Sequence, residues 1–299
     1  MAKVAFLGLG VMGYPMAGHL VSKGHDVCVY NRTAAKAEKW VQEYGGRMAP
    51  TPAEAARDAD FVMTCVGNDD DLRSVVLGDK GALAGMKAGA VLVDHTTASA
   101  AVARELAAVA REQGKGFVDA PISGGQVGAE KGILTIMCGG EEADYKSACP
   151  IMEAYGRRMD LLGGVGSGQL AKMVNQICIA GVLQGLAEGL HFATKAGLDP
   201  MKVVNVISGG AAQSWQMENR SETMTRDEFD FGFAVDWMRK DLGICLDTGN
   251  DIGASLPLTA LVDQYYADVQ AMGGGRWDTS SLIRRLRQLD APYRGRDNK

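Results

Sequence analysis

The chain has 299 residues, a net charge of −5, 46% hydrophobic residues and 22% charged residues. The length is typical of two domains and the composition of a soluble globular protein. The negative charge without a Lys/Arg cluster argues against a nucleic-acid partner, and no uninterrupted apolar run reaches the roughly 18 residues of a membrane span. The chain opens with a strand-like run rather than a signal-peptide pattern, and its six cysteines form no C-x-x-C pair. We therefore expect a cytoplasmic protein with reduced thiols.

Short apolar runs alternate with amphipathic segments in the first half of the chain. The predicted strands are Val4–Leu7, Val27–Tyr30, Phe61–Val66, Val91–Asp94, Gly116–Asp119 and Leu134–Cys138. Helical patterns such as Ala34–Tyr44 and Ser99–Gln113 separate most of them, and Thr51 is placed to cap a further helix. This alternation predicts an α/β fold, with a doubly wound, mainly parallel Rossmann sheet over residues 1–164.

After Gly168 the sequence predicts helices alone. They are Gly168–Ala196, Met201–Ile207, Val235–Ile252, Leu256–Met272 and Thr279–Leu289. The first is apolar on most sides, so we expect it to pack against its own domain and against a second subunit. The prediction is an all-α domain over residues 165–290 for substrate binding and self-association, followed by a disordered tail at 291–299.

The stretch "FLGLGVMGYPM" has a G-x-G-x-x-G spacing between a predicted strand and a predicted helix. In that setting Gly8 permits the tight turn, Gly10 lets the backbone approach a pyrophosphate, and Gly13 lets helix and strand pack closely. The helix start adds N–H groups and the positive end of the helix dipole. A turn that serves packing alone is the alternative. The predicted dinucleotide-binding residues are Gly8, Leu9, Gly10, Val11, Met12 and Gly13.

The end of the second strand distinguishes NAD from NADP. A free ribose 2′-hydroxyl requires an Asp or Glu there, about 20 residues after the glycines. This strand ends in Asn31, Arg32 and Thr33, and no acid occurs before Glu38. Because these side chains can bind a 2′-phosphate, NADP is the predicted cofactor and NAD the alternative. Arg32 as a merely solvated residue at a helix start stays open.

Three polar residues, Lys172, Asn175 and Gln176, share one face of the long apolar helix. Burial lowers the pKa of a lysine ammonium towards neutrality, which suits proton exchange with a substrate oxygen near pH 7. The alternative is a lysine whose ammonium extends from the helix start to solvent.

The segment "DAPISGGQVGAEKG" places Ser123–Gly125 after a strand, at the carboxyl edge of the sheet where ligands bind in such folds. Successive N–H groups of a glycine turn can hold a carboxylate, although a plain turn has the same spacing. Thr96 and Thr97 follow another strand at that edge. Lys240 and Asp241 are interpreted as a cofactor contact or a surface ion pair, and the four histidines have no metal-ligand spacing.

Four motifs occur in order: "GLGVMGYPMAGHL", "DAPISGG", "GSGQLAKMVNQ" and "KDLG". With them the chain, from Lys3 to about Leu289, resembles the β-hydroxyacid dehydrogenases, the family of 3-hydroxyisobutyrate dehydrogenase, tartronate semialdehyde reductase and glyoxylate/succinic semialdehyde reductase. The resemblance implies hydride transfer between a nicotinamide and a small 3-hydroxyacid or semialdehyde. Gln176 stands where many relatives have a second Asn, so either amide is a candidate for the substrate contact.

The resemblance also implies roles for single residues. Lys172 is the general acid/base, Ser123–Gly125 bind the substrate carboxylate, and Asp241 holds the substrate side of the cleft. The implied catalytic residues are Lys172, Asn175 and Ser123. The substrate-binding residues add Gly124, Gly125, Gln176 and Asp241. The cofactor-binding residues comprise the glycine turn, Asn31, Arg32, Thr33, Val66, Thr97 and Lys240.

Other functions are possible on this fold. Imine reductases usually lack the lysine, so Lys172 argues against that class. A non-catalytic nucleotide sensor is favoured by loss of Lys172 or Ser123, and both are present. Decarboxylation of a sugar acid fits less well because the C-terminal half is short. If NADP is the cofactor, we expect the cellular direction to be reduction of a semialdehyde.

Overall fold

The computed structural model describes residues 1–290 and contains two compact units, one of Met1–Lys172 and one that begins at Met173. The division falls inside a single helix, Ser167–Lys195. The domain boundary expected near residue 165 stays a prediction. The tail expected to be disordered, 291–299, lies outside the described residues.

The first unit contains one sheet with nine strands. They are β1 (Lys3–Leu7), β2 (Asp26–Tyr30), β3 (Arg47–Met48), β4 (Phe61–Thr64), β5 (Val91–Asp94), β6 (Gly116–Asp119), β7 (Ile122–Ser123), β8 (Leu134–Gly140) and β9 (Gly156–Leu161). Their order is β3-β2-β1-β4-β5-β6-β8-β7, with β9 beside β8. The six strands from β3 to β6 are parallel, whereas β8 runs antiparallel to β6. This is the doubly wound order, so the predicted fold class is confirmed.

Eight helices accompany the sheet. They are α1 (Gly13–Ser22), α2 (Ala34–Tyr44), α3 (Pro52–Ala56), α4 (Asp69–Val76), α5 (Ala82–Gly85), α6 (Ala100–Glu112), α7 (Gly125–Lys131) and α8 (Glu142–Met152). The predicted cap of α3 is confirmed, because Thr51 Oγ1 accepts a hydrogen bond from the Glu54 N–H at 3.2 Å. The central strands are buried on both faces, as a parallel sheet with two helical layers requires.

In the described part of the second unit the regular elements are all helices, apart from an isolated bridge between Ala234 and Asp278. After α9 (Ser167–Lys195) come α10 (Pro200–Ile207), α11 (Trp215–Arg226), α12 (Val235–Ile252), α13 (Pro257–Ala271), a short 3₁₀ turn (Thr279–Ser281) and α14 (Leu282–Leu289). The core of this unit lies between α9, α12 and α13, around residues such as Leu183, Leu242 and Tyr266.

Helix α9 has the length and apolar composition that would let a helix cross a membrane, and a little under half of its most apolar stretch is buried. Its buried residues, including Ala180, Leu183 and Ala187, belong to the core of the second unit, which is the pattern of a core helix in a globular domain. Val174, Val182 and Phe192 are exposed on it. The helix is therefore buried along part of its circumference and apolar on the rest.

Candidate active site

The glycine turn between β1 and α1 combines tight packing with one open position. A Cβ on Gly8, whose φ is +103°, would lie 2.3 Å from the Cys65 carbonyl oxygen, and one on Gly13 would lie 2.0 Å from the Gly8 carbonyl oxygen. A Cβ on Gly10 would meet nothing within 4 Å. Gly8 and Gly13 are thus required by packing, whereas the space at Gly10 fits the close approach of a ligand phosphate.

The start of α1 differs from those of α3, α4 and α6, which have side-chain caps from Thr51, Asn68 and Ser99. The N-cap of α1 is Met12, which provides no cap, and the first turn contains no acidic residue. The first turn of α1 therefore has no carboxylate that would neutralise the positive end of the helix dipole. Such an end favours an anion, and a dinucleotide pyrophosphate fits it.

The residues after β2 have two different environments: Asn31 is hydrogen-bonded to the glycine turn, and Arg32 is an accessible cation. Asn31 Oδ1 accepts a hydrogen bond from the Leu9 N–H at 2.9 Å, and Asn31 Nδ2 donates to the Thr33 carbonyl at 3.0 Å. The Asn31 amide therefore supports the glycine turn. Arg32 is 84% exposed and lies 2.9 Å from Asp71 Oδ1, a surface pair of small net energy that a phosphate can displace.

A buried polar row crosses the carboxyl ends of β4, β5 and β6. Thr64, Asp94 and Asp119 are aligned in register and are all fully buried. Thr64 Oγ1 donates to Asp94 Oδ1 at 2.7 Å, and the Thr96 N–H donates to the same oxygen at 3.0 Å. Burial raises the pKa of Asp94 to about 7 and also raises that of Asp119. This row was not predicted; the signal that could have found it is that the predicted strands Val91–Asp94 and Gly116–Asp119 both end in an aspartate.

His95 is a buried structural residue beside that row. Its Nδ1 lies 2.7 Å from the Ala120 carbonyl oxygen and its Nε2 lies 2.7 Å from the Tyr155 hydroxyl. Because a carbonyl can only accept, Nδ1 carries the hydrogen and Nε2 accepts from Tyr155. Burial lowers the pKa of His95 to about 4, so the ring is neutral at physiological pH. Within residues 1–290, no group of three His, Cys, Asp or Glu residues is placed to hold a metal.

Asp94→Asn is expected to stabilise the protein increasingly as pH rises. With a native pKa of about 7 against an ordinary value of 3.8, folded Asp94 keeps a proton that the unfolded chain releases, so wild-type stability falls as pH rises between those values. Asparagine mimics the protonated acid at all pH values. The difference in unfolding free energy between Asp94→Asn and the wild type should grow by a few kcal/mol between pH 4 and 7.

Denaturant titrations of both proteins from pH 4 to 8 measure this difference. The opposite contribution of His95, which destabilises the fold as pH falls below 6.5, is common to both proteins and cancels. A difference independent of pH would show that Asp94 is ionised when folded.

Asp119 holds the start of α9 against the sheet. Its Oδ1 accepts a hydrogen bond from the Gly166 N–H at 2.7 Å, and its Oδ2 accepts from the Gln169 N–H at 2.9 Å. A carboxylate on the free N–H groups of a helix start also interacts favourably with the helix dipole. Lys172, one turn further along α9, is only 7% exposed. This burial argues against an ammonium that extends from the helix start to solvent.

The predicted polar residues of the second unit form a connected group. Asn175 Nδ2 donates to Gln176 Oε1 at 2.8 Å, and Gln176 Nε2 donates to Asp241 Oδ2 at 2.6 Å. Lys240 Nζ makes an ion-pair contact of 3.0 Å with Asp241 Oδ1, and Asp241 is 1% exposed. The Gln176 amide is thus engaged through both of its polar atoms, whereas Asn175 is half-buried.

The segment Ser123–Gly125 joins β7 to α7. Gly124 and Gly125 are exposed and have φ values of +135° and +62°. A Cβ on Gly125 would meet nothing within 4 Å, and the N-cap Gly124 has no side chain to cap the helix. An exposed glycine turn of this kind can direct N–H groups at a carboxylate.

Within the first unit, the other predicted ligand contacts also follow strand ends. The Val66 N–H, after β4, donates to Thr96 Oγ1 at 3.1 Å, and Thr97 follows β5. With the glycine turn after β1 and Arg32 after β2, these segments lie at the carboxyl edge of the parallel sheet. Dinucleotides bind at that edge in doubly wound folds, so the first unit has the features of a nicotinamide-dinucleotide oxidoreductase domain.

Comparison with known proteins identifies the family. Residues 3–164 match the family described as the NAD binding domain of 6-phosphogluconate dehydrogenase, and residues 166–286 match the family described as NAD-binding of NADP-dependent 3-hydroxyisobutyrate dehydrogenase. An uncharacterized oxidoreductase of Shewanella frigidimarina is 66% identical, over 96% of this chain and 98% of that protein. The probable 3-hydroxyisobutyrate dehydrogenase-like 1, mitochondrial, of Arabidopsis thaliana is 41% identical, over 96% of this chain and 86% of that protein.

A solved structure of Mycobacterium tuberculosis 3-hydroxyisobutyrate dehydrogenase with L-serine is 32% identical, with a TM-score of 0.86 over 96% of this chain and 99% of that one. The chain belongs to the β-hydroxyacid dehydrogenase family. It is an oxidoreductase with NAD(P)-binding domains, as its sequence motifs predicted.

Proposed function

We propose that the protein is an NADP-preferring reductase of a small semialdehyde, with Lys172 as the general acid/base. The observation that carries the proposal is the burial of Lys172 one turn after a helix start that Asp119 holds at the edge of the dinucleotide-binding sheet. The candidate substrates are the semialdehydes of the 3-hydroxyisobutyrate, tartronate and succinate classes, together with glyoxylate.

Several residues of this chain would hold the cofactor. The glycine turn and the start of α1 hold the pyrophosphate, with Val66, Thr97 and Lys240 as further proposed cofactor contacts. The nicotinamide, when bound, supplies the hydride for reduction or takes it up in oxidation.

Ser123–Gly125 would bind the substrate carboxylate, which orients the carbonyl carbon for reaction. Lys172 donates a proton to the carbonyl oxygen as that carbon is reduced to the alcohol, and its neutral amine takes the hydroxyl proton in the reverse direction. One lysine can serve both directions because its ammonium can donate a proton and its amine can accept one.

For the substrate amide contact we propose Asn175. The support is that the Gln176 amide already binds Asn175 and Asp241 through its two polar atoms. Gln176 and Asp241 would then orient Asn175 rather than bind substrate directly, which departs from the roles that the resemblance implied for them.

Steady-state kinetics with NADPH and NADH against glyoxylate and the succinic, tartronate and methylmalonate semialdehydes tests the proposal. The expected result is one good substrate, with kcat/KM clearly higher for NADPH. Preference for NADH would instead favour oxidation of a hydroxyacid such as 3-hydroxyisobutyrate. Cofactor binding without turnover of any of these compounds would favour a nucleotide-sensing protein.

Arg32→Ala is expected to reduce the preference for NADPH over NADH by about 10- to 100-fold, since one charge-assisted contact to a phosphate is worth about 1.5–3 kcal/mol. The KM for NADH should stay within twofold. Arg57→Ala is the control, because it removes an exposed arginine that belongs to no proposed contact. An unchanged cofactor ratio in Arg32→Ala would show that Arg32 is only a solvated residue.

We also propose that the protein self-associates in the cytoplasm. The exposed apolar residues Val174, Val182 and Phe192 on α9 support a second copy as the partner, and the free state of all six cysteines supports a reducing compartment. Sedimentation of the wild type and of Val182→Glu tests this, and a wild-type monomer at micromolar concentration would contradict it.

A further inference from the structure

Gln169 is a buried glutamine whose amide bonds to the residues on both sides of Thr97. Its side chain is inaccessible to solvent. Its Nε2 donates to the Thr96 carbonyl at 2.7 Å, and its Oε1 accepts from the Ala98 N–H at 3.1 Å. These two bonds form a bracket that fixes the backbone of the segment after β5.

The backbone of Gln169 is fixed at the same time. Its N–H donates to Asp119 Oδ2 at 2.9 Å. The preceding turn is equally confined, because a Cβ on Gly168 would lie 2.4 Å from the Met137 carbonyl oxygen and 2.6 Å from the Asp119 carbonyl oxygen. The start of α9 therefore cannot slide along the sheet without breaking several buried contacts.

We infer that Gln169 is a positioning residue that sets the distance between the cofactor-side segment at Thr97 and the acid/base Lys172. Gln169 precedes Lys172 by three residues, or nearly one helical turn, so the bracket links Thr97 to Lys172 through a single rigid turn. The inference rests on the proposed function, in which Thr97 lies beside the cofactor and Lys172 donates the proton.

The physical reason is that hydride and proton transfer to one carbonyl group tolerate little misplacement. A shift of about 1 Å in one reacting group can cost on the order of 10²-fold in rate. Asp119 holds only the backbone of the helix start, whereas the Gln169 side chain alone among the contacts described above ties that start to the Thr96–Ala98 segment.

Two variants separate the two bonds of the bracket. Gln169→Leu removes both, whereas Gln169→Glu keeps an acceptor for the Ala98 N–H but can donate to the Thr96 carbonyl only through a protonated carboxyl. We expect kcat to fall about 10- to 100-fold in Gln169→Leu and less in Gln169→Glu, with cofactor Kd and substrate KM within twofold of wild type. Gln184→Leu, which removes another buried glutamine from α9, should keep wild-type kcat.

The decisive measurement is the primary deuterium isotope effect on kcat with C4-deuterated reduced cofactor. We expect it to rise in Gln169→Leu, because misalignment slows the chemical step relative to product release. An unchanged isotope effect, with kcat lost only in proportion to a smaller folded fraction, would mean that Gln169 has a purely structural role and would overturn the inference.

Amide hydrogen exchange at Ala98 tests the bracket independently of turnover. Exchange should be faster in Gln169→Leu and stay near the wild-type rate in Gln169→Glu and Gln184→Leu. Equal exchange rates in all four proteins would contradict the bracket. A wild type that turns over no substrate but shows this exchange pattern would refute the proposed function while leaving the bracket in place.

Discussion

Lys172→Met is expected to lower kcat by about 10²- to 10⁴-fold, the contribution usually made by a positioned general acid. Methionine keeps a flexible side chain of similar length but has no proton to give. Because Lys172 is buried, an apolar methionine suits its position, so the variant should fold and bind cofactor with a Kd close to that of wild type. Steady-state kinetics with the best semialdehyde measure the effect.

The matched control is Lys195→Met on the same helix. Lys195 is more than half exposed and pairs with Asp290 at 2.8 Å, near the other end of α9, so its loss should leave kcat within twofold. Lys172→Arg should be almost as inactive as Lys172→Met, since a guanidinium does not release its proton in this pH range. Activity of Lys172→Met within threefold of wild type would place the acid/base elsewhere.

Gly10→Ala and Gly8→Ala are expected to fail in different ways. The Gly10 Cβ would occupy open space, so Gly10→Ala should fold normally and raise the cofactor Kd by roughly tenfold or more, since the methyl group keeps the backbone from the pyrophosphate. Gly8→Ala should be unstable, because its backbone has a positive φ and its Cβ would overlap the Cys65 carbonyl.

Thermal unfolding and fluorescence titration with NADPH separate these effects. The expected pattern is a Tm near wild type with weak binding in Gly10→Ala, and a Tm lower by several degrees in Gly8→Ala. Gly24→Ala is a useful control for strain alone, because Gly24 also has a positive φ but its Cβ would meet nothing within 4 Å. Wild-type affinity in Gly10→Ala would show that the pyrophosphate does not approach that position.

The elements with strong local signals were predictable. Helices α2 and α12 have the predicted bounds because their amphipathic patterns begin and end within the segment itself. The glycine spacing likewise specified the β1–α1 turn, since its tight turn depends on residues that lie close together in sequence. The four ordered motifs were enough to indicate the family.

The missed elements lack such local signals. Strands β3 and β7 have two residues each, and β9 contains exposed charged residues typical of an edge strand rather than an apolar run. Helix α11 is mostly polar and buries only Met217, Ser221 and Met224. Pairing with neighbouring elements, rather than local pattern, decides whether these segments become regular structure.

Within the candidate site, the sequence by itself determined which chemical groups are present: the glycine turn, an arginine in place of an acid after β2, and a lysine in an apolar helix. Only the tertiary structure decided their hydrogen-bond partners and their burial. It directs the Asn31 amide to the Leu9 N–H and buries Lys172. It also brings Gln169 to Thr96 and Ala98, more than 70 residues earlier in the chain. Hydrogen bonds and burial of this kind depend on contacts between distant segments, which sequence periodicity does not encode.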